Sequence, residues 1–320
     1  MLIHKELLNN KLLIDSLFGI QGGTMSSISV SNDFSTFCNN LRLSDTTVSN
    51  IRTRYHTITK RINRDFWGND SDTTHSMYVG SYGRGTCIYT SDIDIVVELP
   101  WTEYSKYHAY SGNGQSALLQ AVKNSLLKTY NSSVISADGQ VVDIYFNDGV
   151  KFEVVPAFKY SDDSGYCYPG TNDGGSWKNM NPKAEIIAFN ARNSTTNKNL
   201  KRLCRMIRAW NSAHSALMSG ILIDTIAYRF LQDYQYADKS YTYYDWMSRD
   251  FFKYLIDHAD QTYWLKPGSN ERVFKKFGFK TNAEAAYNKC LEALDHYNKD
   301  YAYSWHQDWR VIYGSKFPSE

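Results

Sequence analysis

Two short stretches decide the fold, Gly80-Ser81-Tyr82-Gly83-Arg84-Gly85-Thr86 and Asp92-Ile93-Asp94. The second stretch opens the apolar, β-branched run of residues 93–99, which predicts a buried strand. Residues two apart in a strand project from the same face, so the carboxylates of Asp92 and Asp94 should point the same way. Two adjacent negative charges are costly unless a cation neutralises them. The pair is therefore a candidate metal site.

The glycine-rich turn strengthens this interpretation, because an Asp-x-Asp pair by itself most often lies in a solvated loop. The turn directly follows a predicted strand at residues 76–79. Gly80 lets backbone amides approach a ligand closely. The hydroxyl of Ser81 and the amides of the turn can hold terminal phosphate oxygens. The sequence therefore predicts that Gly80 and Ser81 bind phosphate groups.

A third carboxylate, Glu153, lies inside the apolar strand predicted at residues 151–155. A charged side chain in such a strand is expensive unless it is paired or bound to metal. Three carboxylates that converge on one site suit two Mg²⁺ ions about 3.5–4 Å apart, with Mn²⁺ as the alternative metal. Asp143, in the strand predicted at residues 141–146, is the rival third ligand, and local periodicity does not separate the two acids.

The amino-acid composition is typical of a globular protein. The chain has 320 residues, of which 42% are hydrophobic, and 35 basic against 33 acidic residues leave a net charge of +2. A protein that grips long nucleic acid usually carries a clearer basic excess, so we expect that no long nucleic acid is required. The five cysteines have no zinc-ligand spacing, which favours reduced thiols in a cytoplasmic protein. No apolar run reaches the roughly 20 residues of a membrane span, so we expect no membrane partner.

The order of predicted elements indicates an α+β protein. Residues 1–24 form an amphipathic extension, residues 25–160 a mixed α/β lobe, and residues 161–320 a mainly helical lobe. A strong helix is expected at residues 45–66, and Pro156 should help to end the strand that carries Glu153. Residues 161–181 are rich in Gly, Asp, Ser and Asn and are predicted as loop. Further helices are predicted at residues 117–129, 182–193, 200–212, 219–234, 244–259 and 283–298.

The motifs together resemble a known superfamily. The Gly-Ser turn followed by Asp-x-Asp resembles the signature of polymerase-β-type nucleotidyltransferases. Residues 152–158 resemble the third-carboxylate strand of oligoadenylate synthases, with Glu153 where Asp is commoner, and this favours Glu153 over Asp143. Two further stretches, residues 177–182 and 309–318, are similar to the bacterial cyclic GMP-AMP-synthase-like group, the CD-NTases. The resemblance covers residues 34–318.

The resemblance implies a fold, a reaction and partners. The fold would be a polymerase-β-type nucleotidyltransferase lobe with a mixed sheet, joined to a helical lobe, with the active site in the cleft between them. Asp92, Asp94 and Glu153 would be both the catalytic residues and the ligands of two Mg²⁺ ions. The reaction would join ATP and another NTP into a cyclic di- or trinucleotide that a downstream effector reads, in anti-phage defence. The enzyme would be a cytoplasmic monomer.

Phosphate contacts are predicted on the helix at residues 200–211. Its basic residues Lys201, Arg205 and Arg208 share a face away from the apolar stripe, and a solvated basic face is the alternative explanation. By family position Lys201 is the best phosphate ligand, with Arg205 one turn further on. Ser219 at the next helix start resembles a second contact. The aromatic residue that follows this serine in many relatives is Gly220 here.

Other functions remain open at this stage. An enzyme with the same fold could make a linear oligonucleotide, or act on RNA, a protein or a small molecule. A catalytically inactive binding module is disfavoured, because the three carboxylates and the Gly-Ser turn are all present. Relatives that sense DNA in animals carry a His/Cys zinc module, and none is visible in this sequence. We therefore expect no activation by duplex DNA.

Overall fold

The structure is a computed structural model that describes residues 28–88, 92–131, 133–215 and 217–319. The predicted extension at residues 1–24 lies outside these residues. The α+β architecture is confirmed, since a mixed sheet with its covering helices is followed by a lobe built from helices. No helix within the four described ranges combines the length and the apolar character that crossing a membrane demands.

The sheet has seven strands in the described residues, in the order β1-β2-β5-β4-β3, with β6 paired to β5 and β7 paired to β6. The β2–β5 pair is parallel and the other pairs are antiparallel, so the sheet is mixed. The strands are β1 (Ser76–Tyr78), β2 (Ile93–Glu98), β3 (Val134–Asp138), β4 (Val141–Tyr145), β5 (Lys151–Lys159), β6 (Tyr166–Gly170) and β7 (Ser176–Met180). A separate two-stranded hairpin in the helical lobe is formed by β8 (Tyr263–Leu265) and β9 (Arg272–Phe274).

Seven of the eleven α-helices in the described residues begin and end close to predicted positions. The helices at residues 30–40, 101–108 and 302–313 were not predicted, and the short helix at residues 80–84 lies where a turn was expected. The eleven helices are numbered in chain order. They are α1 (Val30–Asn40), α2 (Asp45–Ile62), α3 (Gly80–Arg84), α4 (Trp101–His108), α5 (Gly114–Leu127), α6 (Pro182–Thr195), α7 (Asn199–Ala213), α8 (Gly220–Asp233), α9 (Tyr244–Asp257), α10 (Lys280–Asn298) and α11 (Ala302–Tyr313). Ser44 caps α2, since its side chain accepts a hydrogen bond from the Thr47 amide. The apolar stripes of α2 and α5 pack on the sheet and form one core with strands β2, β4 and β5.

The helical lobe has its own core around α7. The predicted stripe is confirmed, because Leu200, Leu203, Ile207 and Trp210 are all buried there. Phe34 of α1 belongs to the same core, and its ring lies 5.0 Å from that of Trp309. Helix α1, which the sequence assigned to the first lobe, therefore packs with the second.

Two local predictions are wrong. The loop predicted at residues 161–181 contains β6 and β7, which extend the sheet, and Cys167 of β6 is buried in its core. Strand β5 also continues through Pro156 to Lys159. Pairing with β4 ends at Val154 and pairing with β6 begins at Phe158, so the missing amide of Pro156 falls where one edge of β5 is unpaired.

Candidate active site

A cavity of about 660 Å³ lies between the sheet and the helical lobe. Both lobes contribute side chains to its wall, as the sequence predicted for the active site. The sheet lobe supplies Gly80, Ser81, Arg84, Asp92, Asp94 and Glu153, and the helical lobe supplies Glu185, Arg208, Gly220 and Lys266. The lining therefore combines carboxylates with cations, and each lobe contributes both.

Strand register brings the carboxylates together. Asp94 of β2 is the direct partner of Glu153 in the parallel β2–β5 pair. Asp143 of β4 is the partner of the same Glu153 on its other side. Cross-strand partners share a face of the sheet, so the three acids form a row across it. Asp92 stands just before β2, with 54% of its side chain exposed.

Asp94 is the most strongly perturbed acid of the cavity. Burial and the neighbouring charge of Glu153 raise the pKa of Asp94 from its ordinary 3.8 to about 7. A positive charge placed between these two carboxylates would relieve that repulsion.

Gly80 is required by the closeness of its backbone to Asp94. Its φ is +58°, and a Cβ at this position would overlap the Asp94 carboxylate. The preceding residue is held in place as well, because the Val79 amide donates a 2.9 Å hydrogen bond to the Asp94 carbonyl. Glycine at position 80 therefore lets the Gly-Ser turn lie directly against the acidic cluster.

Lys151 lies within the acidic cluster and was missed by the sequence reasoning. Its ammonium forms an ion pair with Glu153 and lies 3.3 Å from Asp92 Oδ2 and 3.7 Å from Asp143 Oδ1. With the side chains in this arrangement, no group of three His, Cys, Asp or Glu residues in the described ranges is disposed to hold a metal ion. The donor set itself fits Mg²⁺, because its oxygens are carboxylates and a cation already lies among them.

Comparisons with known proteins identify the family of this chain. A family model described as the Second Messenger Oligonucleotide or Dinucleotide Synthetase (SMODS) domain matches residues 28–193, more than half of the chain. The chain belongs to this family. The matched SMODS region contains the Gly-Ser turn and all of the carboxylates described above.

One curated relative is a "probable cyclic nucleotide synthase" of Bacillus cereus strain VD146. It is 25% identical to this SMODS chain over 178 residues, which cover 52% of each protein. The chain thus spans about half the length of the curated relative that it matches.

Solved structures share the fold. The Bradyrhizobium diazoefficiens CD-NTase CdnG in complex with GTP is 12% identical, with a TM-score of 0.65, covering 91% of this chain and 96% of that one. CdnC of Escherichia coli MS115-1 with ATP is 15% identical, with a TM-score of 0.64 and coverage of 90% and 98%. The Vibrio cholerae cyclic AMP-GMP synthase DncV with its linear intermediate is 15% identical, with a TM-score of 0.61 and coverage of 90% and 87%. The predicted recognition as a CD-NTase is confirmed.

Three of the predicted phosphate contacts are absent from the residues that line the SMODS cavity. Lys201 Nζ donates a 2.7 Å hydrogen bond to Asn190 Oδ1, and Arg205 donates one of 2.7 Å to the Gly85 carbonyl. Ser219 stands at the N-cap of α8, next to the cavity residue Gly220. Lys201 and Arg205 therefore lie behind the Gly-Ser turn, whereas Gly80 and Ser81 line the cavity.

The cavity's cations on the helical side are Arg208 and Lys266. Arg208 of α7 donates a hydrogen bond of 2.8 Å to Asp224 Oδ2 and one of 2.9 Å to the Gly220 carbonyl. Lys266 follows β8, and its ammonium lies 2.6 Å from Glu271 and 3.5 Å from Glu185. Arg208 was on the basic face noted in the sequence, but Lys266 had no local signal.

A buried charge network joins the Gly-Ser turn to the helical lobe. Asp224 of α8 has no exposed surface and accepts hydrogen bonds from Arg84 Nε at 3.1 Å and Thr86 Oγ1 at 2.7 Å. Arg84 also donates a hydrogen bond of 3.2 Å to Glu185 of α6. The sequence signal was available, because an aspartate inside the apolar stretch at residues 221–227 is costly unless paired.

Proposed function

We propose that this protein is a cyclic oligonucleotide synthase. It joins NTPs, ATP and a second NTP, by metal-dependent nucleotidyl transfer with release of pyrophosphate. The product is a cyclic di- or trinucleotide second messenger that a downstream effector reads, in anti-phage defence. The observation that carries the proposal is the in-register pair Asp94 and Glu153, which lies beside Gly80 and Ser81 in a cavity between two lobes.

The relatives support the substrate class. The names of the relatives describe a probable cyclic nucleotide synthase, a CD-NTase bound to GTP, and a protein bound to ATP. All three names refer to nucleotides, as a product in the first and as a bound ligand in the other two. A nucleoside triphosphate also suits the charges of this cavity, because Arg208 and Lys266 line it together with the carboxylates.

Each group in the cavity has a task in this proposal. Asp92, Asp94 and Glu153 would hold two Mg²⁺ or Mn²⁺ ions. Bound cations supply Lewis acidity for the attacking hydroxyl and charge neutralisation for the leaving pyrophosphate. The backbone of Gly80 and the hydroxyl of Ser81 bind and orient the terminal phosphates, and the two lobes exclude water.

One set of carboxylates would catalyse the formation of both phosphodiester bonds of a cyclic dinucleotide, one after the other. The first transfer gives a linear intermediate that keeps a triphosphate at one end. This intermediate then turns in the cavity, so that its triphosphate lies against Gly80 and Ser81 and its free hydroxyl lies near Asp94.

Pyrophosphate release from a mixture of four NTPs tests the reaction class. With Mg²⁺ or Mn²⁺ present, we expect release by the unmodified protein and a fall of more than about 100-fold in Asp92→Asn, because a charged oxygen that binds the cation is lost. The matched control is Asp72→Asn, which removes an exposed acid paired with His56 and should leave release unchanged.

Two outcomes would count against the proposal. Equal release by Asp92→Asn and the unmodified protein would remove the carboxylates from the mechanism. Release that depends on added RNA or an added protein acceptor would favour the other nucleotidyltransferase reactions.

A further inference from the structure

A lysine ammonium occupies the centre of the acidic cluster. Lys151 and Glu153 are two residues apart on β5, so both side chains project from the same face of the sheet. The ammonium contacts Glu153 and lies 3.3 Å from Asp92 Oδ2. These are two of the three carboxylates that the proposed reaction assigns to divalent cations.

The lysine and a divalent cation compete for the same oxygens. An ammonium a few ångströms from a dication is repelled, and the repulsion is strong where water is partly excluded. The Lys151 side chain is only 20% exposed, so screening by solvent is incomplete. Cation binding at Asp92 and Glu153 therefore requires Lys151 to move.

Asp143 provides the place to which the ammonium can move. Its Oδ1 is buried and accepts no hydrogen bond from any residue that the structure describes. It lies 3.7 Å from Lys151 Nζ, close enough for an ion pair but too long for a good hydrogen bond. Asp143 also stands outside the residues that line the cavity, on the far side of Glu153.

We propose that Lys151 is a built-in counter-ion of the catalytic carboxylates, which a divalent cation displaces from Asp92 and Glu153 onto Asp143. The inference rests on the proposed function, since it presupposes a cation bound by these carboxylates. Lys151 and Asp143 are then positioning residues. Lys151 stabilises the protein when divalent cations are scarce and weakens their binding, and Asp143 lowers that competition by accepting the ammonium.

Lysine suits this role because its charge is compact and its stem is flexible. The ammonium can move between carboxylates by rotation about its side-chain bonds, whereas an arginine would hold two oxygens at once in a fixed fork. The substitution Lys151→Arg keeps the charge, and Lys151→Met keeps most of the stem without it.

Binding of Mn²⁺ alone, measured by loss of the free-ion electron paramagnetic resonance signal, tests this inference without any turnover. We expect Lys151→Met to bind Mn²⁺ at least about 10-fold more tightly than the unmodified protein, because a repelling charge is gone. Lys151→Arg should bind no more tightly than the unmodified protein, and Asp143→Asn should bind several-fold more weakly. Lys159→Met is the control, since Lys159 lies on the same strand and pairs with Asp163.

Thermal unfolding of the same proteins gives a second readout. In a chelator, Lys151→Met should melt below the unmodified protein, because Asp92, Asp143 and Glu153 lose their counter-ion. Saturating Mn²⁺ should close most of that gap. A gap of the same size with and without Mn²⁺ would show a purely structural lysine and overturn the inference.

The variant Asp92→Asn distinguishes a failure of the proposed metal site from a failure of the proposed role of Lys151. Loss of Mn²⁺ binding in Asp92→Asn, together with unchanged affinity in Lys151→Met, would overturn the role of Lys151 and keep the proposed metal site. Equal Mn²⁺ binding by Asp92→Asn and the unmodified protein would overturn the metal site, and the inference with it.

Discussion

The raised pKa of Asp94 makes the stability of the protein depend on pH. Burial and the Glu153 charge raise the pKa of Asp94 to about 7, while the unfolded chain has the ordinary value of 3.8. Between these values the folded protein retains a proton that the unfolded chain has lost. Stability without divalent cations therefore falls as pH rises through this window, and the penalty is fully present above pH 7.

The substitution Asp94→Asn removes this penalty together with a proposed metal ligand. In a chelator we expect its Tm to exceed that of the unmodified protein at pH 8 and to differ little at pH 4, while nucleotidyl transfer is lost. Differential scanning fluorimetry at both pH values measures the difference. The exposed Asp238, which pairs with Lys239, supplies the control Asp238→Asn. A gain in Tm that is equal at the two pH values would contradict the electrostatic explanation.

Glu153 and Asp143 lie side by side, and their substitutions distinguish their roles. Glu153→Gln should lose more than about 100-fold in turnover, because this carboxylate lines the cavity and would bind the cations. Asp143→Asn should lose much less, since Asp143 only receives Lys151. Initial rates of pyrophosphate release at saturating Mn²⁺ make the comparison. An inactive Asp143→Asn beside an active Glu153→Gln would move the third ligand to β4.

The acids of the site could be predicted from the sequence, but their partners could not. The Asp-x-Asp pair next to the Gly-Ser turn identified Asp92 and Asp94. An acid inside an apolar strand indicated Glu153, and the family resemblance favoured it over Asp143. Lys151 becomes a neighbour of Asp92 only through the pairing of β5 with β2. Lys266 reaches the cavity from a hairpin more than a hundred residues further along the chain. Such contacts depend on tertiary structure, which no local pattern specifies.

At the scale of elements, the buried network around Asp224 holds α3 against the helical lobe. Burial by itself would raise the pKa of Asp224, but the charges of Arg208 and Arg84 more than offset this and the pKa is lowered. The ionised carboxylate therefore compensates the buried guanidinium group of Arg84 and the partly buried one of Arg208, and the network positions the Gly-Ser turn.

Asp224→Asn should destabilise the protein by about 3–5 kcal/mol, because it removes the carboxylate paired with Arg208 and one of the two paired with the buried Arg84. The control Asp70→Asn breaks an exposed pair with Arg64, and we expect its free energy of unfolding to stay close to that of the unmodified protein. Chemical denaturation of both variants at pH 7 measures the two values. Equal midpoints for the two variants would show that the network does not stabilise the contact between the lobes.

Helices were easier to predict than strands for a physical reason. The stripe of α7 repeats every three to four residues and is visible in the chain itself. Strands β6 and β7 lie in a stretch rich in Gly, Asp, Ser and Asn, and they exist because they pair with β5 and with each other. The prediction that Pro156 ends its strand was wrong for the same reason. Whether the missing amide of a proline interrupts a strand depends on which neighbouring strands pair at that position.

At the scale of the whole molecule, the cavity depends on two separate cores. One core lies under the sheet, around Phe152 and Val154, and the other surrounds Trp210 in the helical lobe. The cavity opens between them, so substrates would contact both lobes at once.

Treatment of the purified reaction product with alkaline phosphatase tests cyclic product formation most directly. A ring has no terminal phosphate, so we predict that no inorganic phosphate is released and that the product mass equals two or three nucleoside monophosphates less one water for each. A linear oligonucleotide with a 5′-triphosphate serves as the positive control for the phosphatase. Release of phosphate from the product at the rate of that control would show a linear oligonucleotide and contradict the proposed function.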